Sequence, residues 1–405
     1  MEAERKRAPR RRRASASGTV VDFAAARGES IKEAVKEAAR KTRVAVTGGA
    51  GLLGSRFVRA LAQRGDVDVL VLDLAPAPDV PGHVRHRFVD LNLPYADGAV
   101  LKILREEQPD VLVHLAALRS PLRDSTYQHE LNSLGALHVL AAAGEAGVPR
   151  IILGSTTLVY GARGDNPNHL TESHPLRPDP QDRFVRDFVE AEQFARDFVR
   201  RHPSARLAIL RFVPLLAPEL RDYRSKLFAA PFIFHPLGYD PLIQALHPED
   251  AVDALVRAYD RPELQGVFNV APDDVLPLST VYLLYGTLPI PVPHPVAYVL
   301  NEALWLAGVG LMPGVHTHYF RYLCVADNAK ARKALGWEPR YTSLETAIWT
   351  ARARRGKGRA IDFDALEEAA RRAQHSLRRK LKRTAAAATP EAPRKTRSEA
   401  KRAAS

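Results

Sequence analysis

Residues 43–54 read Arg-Val-Ala-Val-Thr-Gly-Gly-Ala-Gly-Leu-Leu-Gly. The β-branched run 44–47 predicts a short strand, and the apolar spacing over 52–63 predicts a helix directly after it. Glycine is required where such a turn takes positive φ or lies close against a pyrophosphate, and the last one lets helix and strand pack tightly. The helix start offers unpaired N–H groups and a partial positive charge to phosphates. Gly48, Gly51, Leu52, Leu53 and Gly54 are therefore phosphate-loop candidates. Asp73 follows the next predicted strand, 67–72, about 20 residues on, where an acceptor for a ribose hydroxyl belongs. A carboxylate there repels a 2′-phosphate, so the expected cofactor is NAD rather than NADP. Arg64 is the nearby cation that would argue otherwise.

Working outward, strands are predicted over 84–89, 110–115 and 149–153, and helices over 99–107 and 131–145. A long helix over 183–201 precedes a strand at 207–210, and 251–259 and 266–270 read as a further helix and strand. Fully apolar strands alternating with helices mean a parallel sheet covered on both faces. The expected fold is α/β, a Rossmann-type doubly wound sheet with a smaller C-terminal substrate lid and basic tails. Segments 214–243 and 272–323, rich in proline and aromatics, are expected to form an irregular lid. The division expected is a basic tail with a short helix (1–42), a dinucleotide-binding domain (43–212), a lid interleaved with late sheet elements (213–350), and a basic tail (351–405). Within that last tail, 361–383 is expected to be helical and 384–405 disordered.

Composition narrows the function classes. Of 405 residues, 46% are hydrophobic and 26% charged, which excludes a wholly disordered or fibrous chain. The single cysteine, Cys324, excludes a disulfide framework and every multi-cysteine metal site. The formal charge of +13 sits in the tails: 1–42 carries +6 and 351–405 carries +11, leaving 43–350 at −4. The basic tails are expected to meet nucleic acid or anionic membrane nonspecifically, if they meet anything, and the folded part is not a nucleic-acid binder by charge. The best apolar run, 296–312, is short for a membrane span, which takes about 20 residues. No apolar stretch follows the basic start as a leader requires, and a cytoplasmic location is expected. His316-Thr317-His318 lacks a third ligand in sequence, so no metal is expected.

The ordered set of motifs carries a resemblance. Thr-Gly-x-x-Gly-x-x-Gly at 47–54, Asp90-Leu91, His114-Leu115-Ala116-Ala117, Asn132, Ser155-Thr156-Thr157-Leu158-Val159-Tyr160-Gly161, His247-Pro248-Glu249-Asp250 and Leu335-Gly336-Trp337-Glu338-Pro339 follow one another along 43–341. The chain thereby resembles an extended short-chain dehydrogenase/reductase of the NAD-dependent epimerase/dehydratase family, similar to the UDP-glucose 4-epimerases. The resemblance implies NAD contacts at Asp90, Leu91, Leu115, Ala116, Ala117 and Asn132. It also implies a small-molecule substrate, with a nucleotide sugar as the candidate, and a homodimer.

The resemblance further implies a hydroxyl, a Tyr and a Lys acting together, the Tyr as base and the Lys lowering its pKa. Thr156 supplies the hydroxyl. Phe184 and Phe188 stand at the Tyr and Lys positions, and 161–188 holds no lysine. A missing general base removes on the order of 10²–10⁴-fold in rate. Asp187, or Arg186, acting with Thr156 is the substitute catalytic candidate, against the blander expectation that these charges solvate the helix surface; Tyr160 is a weaker one. Pro214 replaces the asparagine associated with sugar-nucleotide contact. In the lid, Arg221, Tyr223, Arg224 and Lys226 are placed to meet a diphosphate, with plain surface charge as the alternative. The reading is an NAD-binding epimerase/dehydratase-like oxidoreductase with an altered or lost active site. Its rival is a non-enzymatic NAD-dependent sensor or interaction module.

Overall fold

The computed structural model describes residues 40–355 and 363–388. Of the short helix expected in the first basic tail, over 29–41, the residues up to 39 lie outside the described residues, as do the tails up to residue 28 and beyond 388; Arg40 and Lys41 are not helical. Seven strands form one parallel sheet: β1 (Thr42–Thr47), β2 (Val67–Asp73), β3 (Arg85–Phe88), β4 (Val111–His114), β5 (Arg150–Thr156), β6 (Arg206–Phe212) and, later, β9 (Gly266–Val270). Their order is β3-β2-β1-β4-β5-β6-β9. The fold is thus the expected Rossmann-type doubly wound sheet. Strand order reverses between β1 and β4, and ligands of such sheets sit in the crevice beyond the carboxyl ends at that point.

Helices cover both faces because the strands are apolar on both. On one face α1 (Leu52–Ala62) packs Phe57, Val58 and Leu61 against Val44, Val69 and Val113, with α7 (Pro248–Tyr259) adding Ala251 and Leu255. On the other, α2 (Ala96–Glu107), α4 (Gly135–Ala146) and α5 (Arg183–Arg201) bury Leu104, Leu140 and Phe198 against Leu72, Leu112 and Ile151. The helix expected over 131–145 starts earlier. α3 (Ser125–His129), capped by Asp124, runs through a π turn (Glu130–Leu134) into α4.

The lid is more regular than its sequence suggests. It holds α6 (Tyr223–Phe228), β7 (Phe232–Pro236), β8 (Leu242–Ile243), β10 (Leu276–Pro277), α8 (Leu278–Tyr285), β11 (Leu288–Val292) and α9 (His294–Leu306). β7 and β11 pair in parallel, and β8 and β10 antiparallel. Two physical reasons hid them. α8 buries Leu278, Val281, Tyr282, Leu284 and Tyr285, so it is apolar all round and lacks amphipathic periodicity. β11 carries Pro289 and Pro291 at alternate positions of a two-stranded pair, where proline's missing N–H is tolerated on the free edge. α10 (Ala329–Leu335) and α11 (Ser343–Arg355) follow.

The helix expected over 361–383 is α12 (Phe363–Ala388), so the first five residues assigned to the disordered end belong to it. It docks on the lid rather than standing free. Ala370 is fully buried in one cluster with Val281 and Leu284, and Gln374 Nε2 donates to Val275 O at 2.6 Å and to Asp274 Oδ2 at 3.2 Å. Among the described residues no helix is long and apolar enough to cross a membrane.

Candidate active site

The glycine turn joins β1 to α1 as its sequence requires. Gly48 has φ +73°, and a Cβ on it would lie 2.4 Å from Ala116 N. A Cβ on Gly54 would lie 2.1 Å from Gly48 O. Main chain therefore approaches main chain, leaving a cradle open at the start of α1. Gly48, Gly51, Leu52, Leu53, Gly54, Asp73, Asp90 and Leu91 line one groove there, with Leu115, Ala116 and Ala117 from the end of β4. Asp73 Oδ2 accepts from Ala50 N at 3.0 Å and Oδ1 from Leu74 N at 2.7 Å, which fixes the carboxylate at the groove. Arg64, in contrast, is paired with Asp260 at 2.6 Å and Asp66 at 3.4 Å.

Asn132 lies beside the groove, on the π turn. Its Oδ1 accepts from Leu118 N at 2.7 Å, pinning the loop after β4, while its buried Nδ2 finds no partner among the described residues. The π turn aims this side chain, and an orphaned amide donor at a dinucleotide groove is what a missing ligand leaves behind. Cradle and donor together fit a dinucleotide.

A second cavity opens where β5 and β6 end. Thr156, Phe184, Phe188, Phe212 and Pro214 line it, and Leu53, Leu115, Ala117 and Arg119 are shared with the groove. Thr156 Oγ1 accepts from Leu158 N at 3.3 Å, so its own proton is free to be donated into the cavity. The rings of Phe184 and Phe188 meet edge to face, centroids 5.4 Å apart. Burial pushes the Arg119 guanidinium below its ordinary pKa, partly offset by Asp222. Arg119 is a site residue that sequence reading missed; only its place just after the His-Leu-Ala-Ala run pointed to it.

A third space, the chamber beneath the lid, adjoins this cavity through Leu158, Val213, Pro214 and Arg224. Tyr223, Phe228, Tyr319, Phe320 and Cys324 wall it. Most polar groups on that wall are already engaged. Gln244 donates to Pro272 O and Ala326 O and accepts from Ala326 N. Tyr319 Oη donates to Leu158 O at 3.2 Å, and Cys324 Sγ to Thr157 O at 3.6 Å. Arg224 is the cation of the wall, stacked on Tyr223, so of the four lid residues named above it faces the chamber rather than bulk solvent.

Asp187 lies elsewhere. It is buried, yet it lines none of these spaces: Oδ2 accepts from Gln128 Nε2 at 2.8 Å and Oδ1 meets His129 Nδ1 at 2.9 Å. It neither solvates the helix surface nor faces the cavity. Burial raises its pKa, with His129 and Gln128 opposing. Ligand atoms of His129, Asp187 and Glu190 all come within 4.8 Å of one another, a grouping that nearly 60 intervening residues concealed.

Tyr160 is locked in the sheet floor. Its hydroxyl donates to Asn269 Oδ1 at 2.8 Å and accepts from Arg211 Nη1 at 2.7 Å; Arg211 in turn forks onto Glu192 at 2.8 and 2.5 Å. Burial raises the Tyr160 pKa, and the residue is fully enclosed, so it is a structural donor rather than a base.

The comparisons with known proteins agree with this geometry. The NAD dependent epimerase/dehydratase family matches residues 44–271. The chain belongs to that family. NAD is accordingly its cofactor. An uncharacterised protein of Mycobacterium tuberculosis is 31% identical over 75% of the chain and 81% of the relative. A 3-diazoavenalumate denitrifying reductase of a Streptomyces species is 31% identical over 76% of the chain and 99% of the relative. The UDP-glucose 4-epimerase of Thermotoga maritima, solved with UDP-glucose, shares the fold at TM-score 0.60 and 20% identity, covering 78% of the chain and 99% of that structure.

Proposed function

We propose that this protein is an NAD-dependent oxidoreductase that moves a hydride to or from an apolar small molecule, in place of interconverting a nucleotide sugar. The observation that carries it is the lining of the two joined cavities. A hydroxyl, Thr156, sits opposite the rings of Phe184 and Phe188, and the adjoining chamber is aromatic with its polar groups already bonded. Sugar hydroxyls transferred onto such a wall would lose their water partners and gain few in return, at about 1–3 kcal/mol each. An apolar or aromatic substrate meets no such cost and gains about 25 cal/mol per Å² buried.

Bound NAD supplies the hydride donor or acceptor. Thr156 donates to the substrate oxygen and orients it, Phe184 and Phe188 exclude water, and Arg119 and Arg224 bring positive potential to the two ends of the cavity. Phe184 and Phe188 hold no transferable proton, so any proton that accompanies the hydride comes from another group. The Streptomyces relative, named a reductase and matched over nearly its whole length, supports the same reading. The test is nicotinamide absorbance with a panel of aryl aldehydes and aryl alcohols, beside UDP-glucose and UDP-galactose. Turnover on the aryl panel without sugar epimerisation is expected. Epimerisation of the UDP-sugars overturns the reading, and tight NAD binding with no redox turnover leaves the non-enzymatic module in its place.

A further inference from the structure

Three polar side chains from three distant parts of the chain meet between Phe184, which lines the cavity, and the chamber, which one of them lines. His316 is fully buried in the turn Gly314–Phe320. Its Nδ1 lies 2.9 Å from Tyr223 Oη, and its Nε2 lies 3.2 Å from Asp182 Oδ2. Asp182 caps α5, accepting from Val185 N at 3.1 Å, which fixes the carboxylate two residues before Phe184. Tyr223 opens α6, its N held by Ser120 Oγ at 2.9 Å, and its side chain lines the chamber. The Phe184 ring packs 6.1 Å from the imidazole, so the trio lies directly behind the position where the family resemblance places a tyrosine.

We propose that Tyr223, His316 and Asp182 form a proton relay that opens on the substrate chamber and does the acid–base work that Phe184 and Phe188 do not. The proposal rests on the hydride-transfer reading above. The hydrogen-bond pattern that satisfies all three groups has the Tyr223 O–H donating to Nδ1 and the His316 Nε2–H donating to the Asp182 carboxylate. This is the polarity by which a hydroxyl, an imidazole and a carboxylate pass a proton in other enzymes. Packing alone does not call for it, because an apolar trio of similar volume is often as stable as a buried charged one. Burial also keeps the Tyr223 phenol neutral, pushing its pKa up, so it holds a proton to give.

In the oxidation direction the substrate hydroxyl proton passes to Tyr223 Oη while the phenol's own proton passes to His316 Nδ1. Asp182 holds the imidazolium that results. The C–H bond on the same carbon breaks with its electron pair, the hydride leaving to the dinucleotide, and the C=O bond forms. The substrate thus loses one proton and one hydride, and reduction is the reverse. Tyr223 is the acid–base group; His316 and Asp182 are positioning residues. Tyr319, Arg224, Asp222 and His318 are the other titratable or charged groups that face the trio.

The test uses the full chain, NAD and cinnamyl alcohol as probe. Tyr223→Phe removes only the hydroxyl, and is expected to lower kcat by about 10²–10⁴-fold with NAD affinity unchanged. Asp182→Asn should lower kcat while leaving KM for cinnamyl alcohol in place, since the carboxylate acts through the imidazole and does not touch the substrate. Undiminished kcat in Tyr223→Phe overturns the relay and leaves the hydride-transfer reading standing. A second readout needs no turnover: nitrogen NMR of isotope-labelled histidine in the protein without NAD. Protonated Nε2 with bare Nδ1 on His316, reversed in Asp182→Asn, is expected. A proton on Nδ1 in the wild type overturns the relay whatever the probe alcohol does. Wild-type protein that binds NAD and oxidises no member of the aryl panel fails the hydride-transfer reading, and with it the relay's role in catalysis.

Discussion

The groove at the glycine turn and the chamber beneath the lid lie on either side of one cavity, yet they are made of different material. The groove is largely main chain: a glycine turn and the ends of β1 and β4, with the Asp73 carboxylate fixed among them by two backbone N–H groups. The chamber is side chain: rings, Arg224 and Tyr223, drawn from the turns after β5 and β6 and from the lid. Backbone geometry tolerates little change of residue, since a Cβ at Gly54 has nowhere to go. A wall of side chains exchanges one ring for another with the fold intact. The family's cofactor is therefore retained in this chain while its substrate chemistry is open to replacement.

The largest effect expected tests what underlies the chamber. Glu192 is the buried carboxylate that neutralises Arg211 in the sheet floor, both about 1% exposed or less. Glu192→Ala should cost about 3–5 kcal/mol in urea unfolding, because it leaves a buried guanidinium unpaired. A loss under about 1 kcal/mol would mean that the floor does not depend on this pair.

Restoring the family's pair, Phe184→Tyr with Phe188→Lys, places an ammonium in an aromatic wall. A cost of roughly 3–4 kcal/mol is expected without NAD. Partial recovery on adding NAD follows if the dinucleotide lies against the new lysine, since a ligand bound only by the native state adds stability. An NAD-induced rise in melting temperature no larger than the wild type's would place the dinucleotide away from Phe188 and separate the two halves.

The groove side carries its own pH dependence. His114, at the end of β4 and 2.6 Å from Thr47 Oγ1, is held neutral by burial, its pKa lowered from 6.5 to about 4. The unfolded chain takes up this proton first, so stability is full above pH 6.5 and is lost as pH falls toward 4. The loss should be about 3 kcal/mol, and His114→Leu should flatten it in melting curves taken across that range. An unchanged slope in the variant would assign acid sensitivity to groups other than His114.

The smallest effect sharpens cofactor choice. Asp73→Ala should weaken NAD by about 1–2 kcal/mol and narrow the gap to NADP, read by calorimetry. Arg64 will not compensate, being paired to Asp260 and Asp66. Equal wild-type affinity for both dinucleotides would deny Asp73 its role.

The same contrast decides what was legible in the sequence. Gly48 to Gly54, Asp73 and the His114-to-Ala117 run are short and contiguous, because each constrains a stretch of backbone, and they locate the groove. Thr156, Phe184 and Phe188 come together as the resemblance implied. Asp182, Tyr223 and His316 carry no common pattern, separated as they are by 134 and 93 residues, and only the lid's closure joins them. Asp187 shows the converse error. Helical spacing placed it near Phe184, but its direction was set by Gln128 and His129, whose contribution no local pattern announces. In the lid, prolines at 289 and 291 and the all-round apolar α8 removed the periodicity on which strand and helix readings depend.

The docking of α12 on α8 sets an order of events during synthesis. A ribosome delivers the chain from its N-terminus, and with β9 all seven strands of the parallel sheet have emerged. α8 follows at once, but its cover does not: Gln374 lies about 100 residues beyond the Asp274 and Val275 that it grips. Until then Val281 and Leu284 lack the neighbour Ala370. The nascent protein thus passes through a stage in which every strand of the sheet has emerged while α8 still lacks the cover that α12 gives it. A chain released early, before Phe363, would be held at that stage.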